Sequence, residues 1–207
     1  MEHRPQRPHV AVFSILLALS HTLAAPARAA TLAAYDFDAG DGSFTQAPSA
    51  LAPDLLVAPW QDLDGSLTSF TGAPGRALGA RDFDDGNSLL WTVRAVTGRL
   101  LHLDGLRFDQ QASATGPKFW ALRVNGETLA SGATTTTFAT VRVPLALPGQ
   151  ERLDIALDGF DASSTLGTWR IDNVELLGAT TPVPVPPALS LLASGVVLLA
   201  SRRARRG

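Results

Sequence analysis

The chain has 207 residues, 45% hydrophobic and 17% charged, and it contains no cysteine. That composition excludes a disordered polar chain and a disulfide-stapled miniprotein. The net charge of −2 hides a segregation: residues 30–181 carry 18 acids against ten bases, while both ends are basic. An acidic body whose single lysine is Lys118 excludes nucleic acid as a partner, because neutralising phosphates needs clustered Lys and Arg.

At the N-terminus, Arg4 and Arg7 precede an apolar stretch from Val10 to Leu19, and Ala27-Arg28-Ala29 forms a small-residue cleavage pattern. Residues 1–29 therefore read as a secretory signal peptide. As a helix, that apolar stretch would rise only about 15 Å, half of the hydrocarbon core, so it is too short for an anchor. An exported chain without cysteine must draw its stability from an apolar core or from bound metal.

Residues 30–179 read as one all-β domain, a jelly-roll β-sandwich of antiparallel strands. No window keeps a helical stripe, whereas period-two alternation recurs. Strands are expected near Ala34–Asp38, Asn87–Val96, Leu100–Phe108, Thr168–Leu177 and in three further runs. Trp120, Leu122 and Val124 alternate with Phe119, Ala121 and Arg123, and Asn125-Gly126 then supplies a tight hairpin turn toward Glu127–Leu129. Val141, Val143, Leu145 and Leu147 form one apolar face, and Leu153, Ile155 and Leu157 another. Pro144 lacks an amide donor and demotes its strand to an edge or a bulge. Residues 40–86, rich in Gly, Pro, Ser and Asp, are expected as long loops with short strands. In Trp169–Leu177 the apolar phase passes from Trp169 and Ile171 to Val174 and Leu176, which implies a β-bulge at Asp172-Asn173.

The body offers little for catalysis. Its one histidine, His102, sits mid-strand between Leu101 and Leu103 and is expected to face solvent. Glu127, Glu151 and Glu175 lie on a hairpin turn, a strand start and the last strand, with nothing to bring them together as a glycosidase pair. Oxygen-rich runs are better candidates for chemistry. Asp36 to Gly42 and Asp82 to Asn87 place carboxylates on alternate residues, as a Ca²⁺ loop requires, although Asp, Gly and Asn also simply make turns. Of the four tryptophans, Trp91, Trp120 and Trp169 fall inside alternating strands and are expected in the core. Trp60, after Pro59 in the irregular region, is expected to be partly exposed and is the candidate ligand-stacking residue.

The segment Ile171-Asp172-Asn173-Val174 resembles the closing strand of carbohydrate-binding, galactose-binding-like jelly rolls. That resemblance implies a structural Ca²⁺ in which Asp172 joins Asp36 or Asp38 to tie the last strand to the first.

Residues 180–187 are expected as an extended proline-rich spacer. Residues 188–201 follow without a charge, and Arg202, Arg203, Arg205 and Arg206 end the chain in residues 202–207. A short apolar helix closed by arginines is a stop-transfer element with a basic cytoplasmic tail. Fourteen residues rise only about 21 Å as a helix, so the arginines must snorkel or the bilayer thin. Val183-Pro184-Val185-Pro186-Pro187, the helix with its Ser194-Gly195 pair and the arginine cluster resemble the PEP-CTERM sorting signal of Gram-negative exported proteins. The resemblance implies export through the Sec machinery, transient inner-membrane insertion, recognition by an exosortase, and release or attachment at the cell surface. Such proteins accompany exopolysaccharide and biofilm production. Pro184-Val185-Pro186 departs from the usual Pro-Glu-Pro.

The reading is then a non-enzymatic cell-surface or extracellular-matrix protein, with exopolysaccharide as candidate ligand. The alternatives are a secreted hydrolase acting on glycans or esters and a matrix component with no ligand.

Overall fold

A computed structural model describes residues 30–184, and every one of its regular elements is a strand. The predicted signal peptide lies outside the described residues, as do Val185, Pro186, Pro187, the apolar stretch 188–201 and the terminal arginines. Thirteen strands run in chain order: β1 (Ala30–Tyr35), β2 (Ala50–Leu51), β3 (Leu55–Val57), β4 (Gln61–Asp62), β5 (Thr68–Thr71), β6 (Arg76–Ala80), β7 (Asn87–Ala95), β8 (Arg99–Ala112), β9 (Phe119–Val124), β10 (Glu127–Ala133), β11 (Ala139–Gln150), β12 (Arg152–Phe160) and β13 (Trp169–Pro182).

They form two antiparallel sheets. The first is ordered β11-β8-β13-β1-β2, with β6 on the β1 side of β13 and β5 beyond it; the second is ordered β10-β9-β12-β7-β3, with β4 beside β7. Alternation explains the pairing of faces. Leu89, Trp91 and Val93 of β7, Trp120, Leu122 and Val124 of β9, and Leu153, Ile155 and Leu157 of β12 turn inward from the second sheet. They meet Leu101, Leu103, Leu106 and Phe108 of β8 and Trp169, Ile171, Val174 and Leu176 of β13. Burying two apolar faces against each other is what makes a sandwich the stable solution. Inside, Trp169 Nε1 donates to Gln110 Oε1 at 3.1 Å, so the buried indole and the buried amide answer each other.

The expected strands are present, and residues 40–86 hold only short ones. Asn125 and Gly126 both take positive φ, 52° and 85°, and turn β9 into β10. Pro144 lies on β11, at the edge of the first sheet, just where the register against β8 slips. The β13 register shifts between Asp172 and Glu175 with Asn173 at φ 48°, which is the bulge that the phase change implied. Trp91, Trp120 and Trp169 are buried.

Two boundaries differ from expectation. The first strand covers Ala30–Tyr35 rather than Ala34–Asp38, because Phe37 adopts φ 57° and ends the extended chain before Asp38. The last strand continues through Thr180, Thr181 and Pro182, which pair with Leu101, Leu100 and Arg99, so the spacer does not begin at Thr180. Pro182 is tolerated there because it is the final residue of the strand, at the end of its ladder. Val183 leaves the sheet after its amide donates to the Gly98 carbonyl at 3.0 Å.

Candidate functional site

The outer face of the second sheet is built by the residues between the core positions. On β12 these are Arg152, Asp154, Ala156, Asp158 and Phe160; on β7 they are Leu90, Thr92 and Arg94; on β9 they are Phe119, Ala121 and Arg123. Register sets them side by side: Arg152 opposite Arg94, Asp154 opposite Thr92, Ala156 between Leu90 and Arg123, and Phe160 opposite Phe119. From Arg152 to Phe160 the strip extends roughly 26 Å.

Two adjoining hollows occupy this face, of about 280 and 330 Å³. Both are lined by Gln61, Leu90 and Thr92. The first adds Arg123, Asp154 and Ala156; the second adds Ala58, Pro59, Arg94 and Arg152. Together they make a groove with a short aliphatic floor and polar walls, the composition of a site that orients a polar ligand by hydrogen bonds.

The walls are held in place by pairing. Arg123 grips Asp158 with Nε at 2.5 Å and Nη2 at 2.8 Å, and Ser88 donates its hydroxyl to the same carboxylate at 2.5 Å. Asp154 Oδ1 accepts from Arg152 Nε and Nη2 at 2.9 and 2.7 Å and from the Thr92 hydroxyl at 2.7 Å. The Arg152 hydrogen bonds hold the Asp154 carboxyl below the usual carboxylate range, so it stays ionised near neutral pH.

At the far end of the strip, Phe119 and Phe160 are 44% and 40% exposed and stack on each other at 5.8 Å and 25°. They border a shallow hollow of about 430 Å³ with Ser131, Gly132 and Ala133 of β10. Two aromatic rings left in water at the end of this face are the feature the sequence reading missed. The signal was present: Phe119 and Phe160 both fall on the solvent-facing phase of alternating strands.

Trp60 does not fulfil its expected role. It is 3% exposed, stacked on Trp91 at 4.9 Å and 16°, with Tyr35 and Phe37 against its edge at 5.7 and 6.0 Å. The link from β3 to β4 runs along the edge of β7, where the Ala58 amide donates to the Thr92 carbonyl, and two residues on the indole lies buried in the core. Its neighbours Ala58, Pro59 and Gln61 line the groove instead.

Asp172 is fully buried on the bulge of β13. Its Oδ2 accepts from the Ala73 amide at 2.8 Å and its Oδ1 from the Asn173 amide at 2.7 Å. Burial pushes its carboxyl up to about 6, with the nearby Asp109 and Asp38 charges adding to the rise and the two amides opposing it. Asp38 reaches the same turn from the other side: its Oδ1 accepts from the Arg76 amide at 2.9 Å, and its carboxylate lies where a Cβ on Gly75 would sit. Asp172 Oδ2 and the Arg76 carbonyl both lie 2.5 Å from where a Cβ on Gly72 would sit. Two carboxylates and a carbonyl thus border the Gly72–Arg76 turn, with the carboxylates accepting from the Ala73, Asn173 and Arg76 amides. Asp36 is not part of it; its Oδ1 accepts from the Asp38 amide at 3.3 Å. Among the described residues, no three His, Cys, Asp or Glu side chains gather into a metal-holding group.

The other sequence candidates resolve simply. Asn87 is buried, accepting from the Leu63 and Ser88 amides and donating to the Arg81 carbonyl, so the run Asp82 to Asn87 is a structural turn. His102, half-buried on β8, bonds the Thr181 hydroxyl at 2.8 Å. Glu175 pairs with Arg107, while Glu127 and Glu151 lie on other strands or turns. The groove carboxylates Asp154 and Asp158 are four residues apart on one strand, roughly 13 Å along the chain. Glycosidase pairs stand about 5 to 9.5 Å apart, and both of these aspartates are held by arginines.

Val183 and Pro184, the first residues of the proposed sorting motif, are exposed as they leave the sheet. Among the described residues, no helix is long and apolar enough to cross a membrane.

The sequence matches no protein-family model, and no curated protein matches it. Solved structures do resemble it. The tandem CBM22-1-CBM22-2 domain from Paenibacillus barcinonensis Xyn10C aligns with a TM-score of 0.50 at 12% identity, covering 79% of this chain and 49% of that one. The CBM22-1 xylan-binding domain of the same enzyme aligns at 0.46 and 10% identity, over 73% of this chain and 96% of that one. TmCBM61, in complex with β-1,4-galactotriose, aligns at 0.43 and 12%, over 59% and 90%. At such identities the likeness is one of architecture: the chain folds as an antiparallel jelly-roll sandwich similar to carbohydrate-binding modules.

Proposed function

We propose that this is a non-enzymatic exported protein that binds polysaccharide along the outer face of its second sheet. The observation that carries the reading is the strip itself, a groove of paired polar side chains continuing into the exposed Phe119–Phe160 stack. Sugar rings present apolar faces and polar edges. The aromatic pair would take the faces, and Asp154, Arg123, Thr92 and Gln61 the hydroxyls. A glycan array probed with the purified protein tests this. Binding that falls tenfold or more in Phe119→Ala/Phe160→Ala at unchanged melting temperature is expected, and an array without any retained glycan overturns it.

The destination in this proposal is the cell surface or extracellular matrix, reached by Sec export and exosortase handling of the C-terminal segment. Its support is the order of proline motif, apolar stretch and arginines in residues 183–206, together with the exposure of Val183 and Pro184. Removing residues 183–207 and following the protein by cell fractionation tests it; equal delivery of the shortened and intact chains to the same place sinks it.

A structural Ca²⁺ belongs to the same proposal. Asp38 and Asp172 would hold it at the Gly72–Arg76 turn, where it would supply a positive charge between the chain just after β1 and the bulge of β13. Saturating Ca²⁺ should raise the melting temperature and a chelator should lower it; an unchanged melting temperature removes the ion.

A further inference from the structure

Arg94 and Arg152 are direct cross-strand partners on the outer face, and both line the groove. Partners so placed hold their Cβ atoms about 5 Å apart, and like charges there oppose each other. Among the described residues Arg94 forms no ion pair. Arg152 spends Nε and Nη2 on a single oxygen of Asp154 and keeps its remaining donors free. Of the charged side chains lining the two hollows, Arg123 and the adjacent Asp158 neutralise each other, which leaves Arg94 and Arg152 against one aspartate, Asp154, a net charge of +1. A positive groove end is therefore set into a body of net charge −8.

We propose that this end of the groove binds an anionic substituent, so that the ligand is an acidic polysaccharide whose carboxylate or sulfate bridges Arg94 and Arg152. The proposal rests on the glycan reading above and goes further by naming the ligand class. Guanidinium forks match the planar, two-oxygen geometry of a carboxylate, and an anion between the two arginines turns their repulsion into attraction. Gln61 and Thr92, in the same hollow, remain for the hydroxyls of that sugar unit. The Phe119–Phe160 pair lies at the opposite end of the strip, where a neighbouring part of the same chain would stack.

Affinity electrophoresis in gels containing polygalacturonate, the same polymer fully methyl-esterified, or a sulfated galactan tests this. Retardation by a charged polymer but not by the ester is expected, and it should weaken as salt is raised. Which charged polymer retards the protein distinguishes carboxylate from sulfate. Arg94→Ala and Arg152→Ala should each lower affinity roughly tenfold or more, while Arg94→Lys retains part of it. Arg142→Ala, an exposed arginine on β11 of the other sheet, should change nothing. Equal retardation by the ester, or binding insensitive to both arginine variants, overturns the acidic class and leaves the glycan reading standing. Loss of all binding in Arg142→Ala also overturns it. No retardation in any gel, with a blank glycan array, overturns both.

Discussion

Trp60 and Phe119 exchanged the roles that their neighbourhoods suggested. Trp60 follows a proline in an irregular stretch, yet three aromatic rings surround it; Phe119 heads a regular strand, yet stands in water. Exposure of a side chain in a strand is set by its phase, which can be read locally. Exposure of a side chain in a loop is set by where the loop runs, which cannot. Trp60→Ala should therefore lose about 3–5 kcal/mol of stability in urea unfolding through the cavity it leaves, rather than acting on binding alone. Asp172 makes a second prediction at this scale. Its folded-state value of about 6 lies above the ordinary carboxylate value near 3.9, so the folded protein prefers the protonated acid. In metal-free buffer this group leaves stability highest below about pH 4 and lowers it as pH rises through 6, by about 3 kcal/mol. The carboxyls of Asp41 and Asp154, held low by hydrogen bonds from Ser43 and Arg152, lose their contribution only in stronger acid, outside the window from pH 7 to 5. Thermal melts should thus rise from pH 7 to 5 in the native chain and stay flat in Asp172→Asn.

Two strands carry the consequences of local irregularity. In β13, the phase change between Ile171 and Val174 was legible because a bulge is the only way an extended chain turns two sets of apolar residues to one core. The resemblance of Ile171–Val174 already set Asp172 beside Asp36 or Asp38, but its hydrogen-bond partner Ala73, 99 residues away, was not legible. Further along, Gly178 lies so close to β8 that a Cβ would sit 2.0 Å from the His102 carbonyl oxygen. Gly178→Ala must push β13 away from β8, and a loss of about 1–3 kcal/mol is expected in denaturant unfolding. An unchanged midpoint would mean that the two strands separate more easily than their register implies. Pro144 shows the converse case: an edge position asks for no amide, so proline both tolerates and marks it.

For the molecule as a whole, the end of the fold and the start of the proposed sorting segment meet at Val183. Thr180 to Pro182 extend the β13–β8 ladder, and the Thr180 hydroxyl donates to Asp54 at 3.1 Å. A chain ending at Ala179 should therefore unfold at lower urea than one ending at Pro184, and equal midpoints would show that the last three residues of β13 add nothing. Period-two alternation, the Asn-Gly turn and the edge proline determined that the body is an antiparallel sandwich, because side-chain alternation and turn geometry are properties of neighbouring residues. The charge segregation and the arginine-closed apolar tail likewise came from the sequence alone. The groove, the pairing of Phe119 with Phe160, the opposed Arg94 and Arg152 and the placing of Ala73 against Asp172 were decided only in three dimensions. Each depends on which strands become neighbours and in what register, and hydrogen-bond pairing between distant segments is not written in the order of residues along either one.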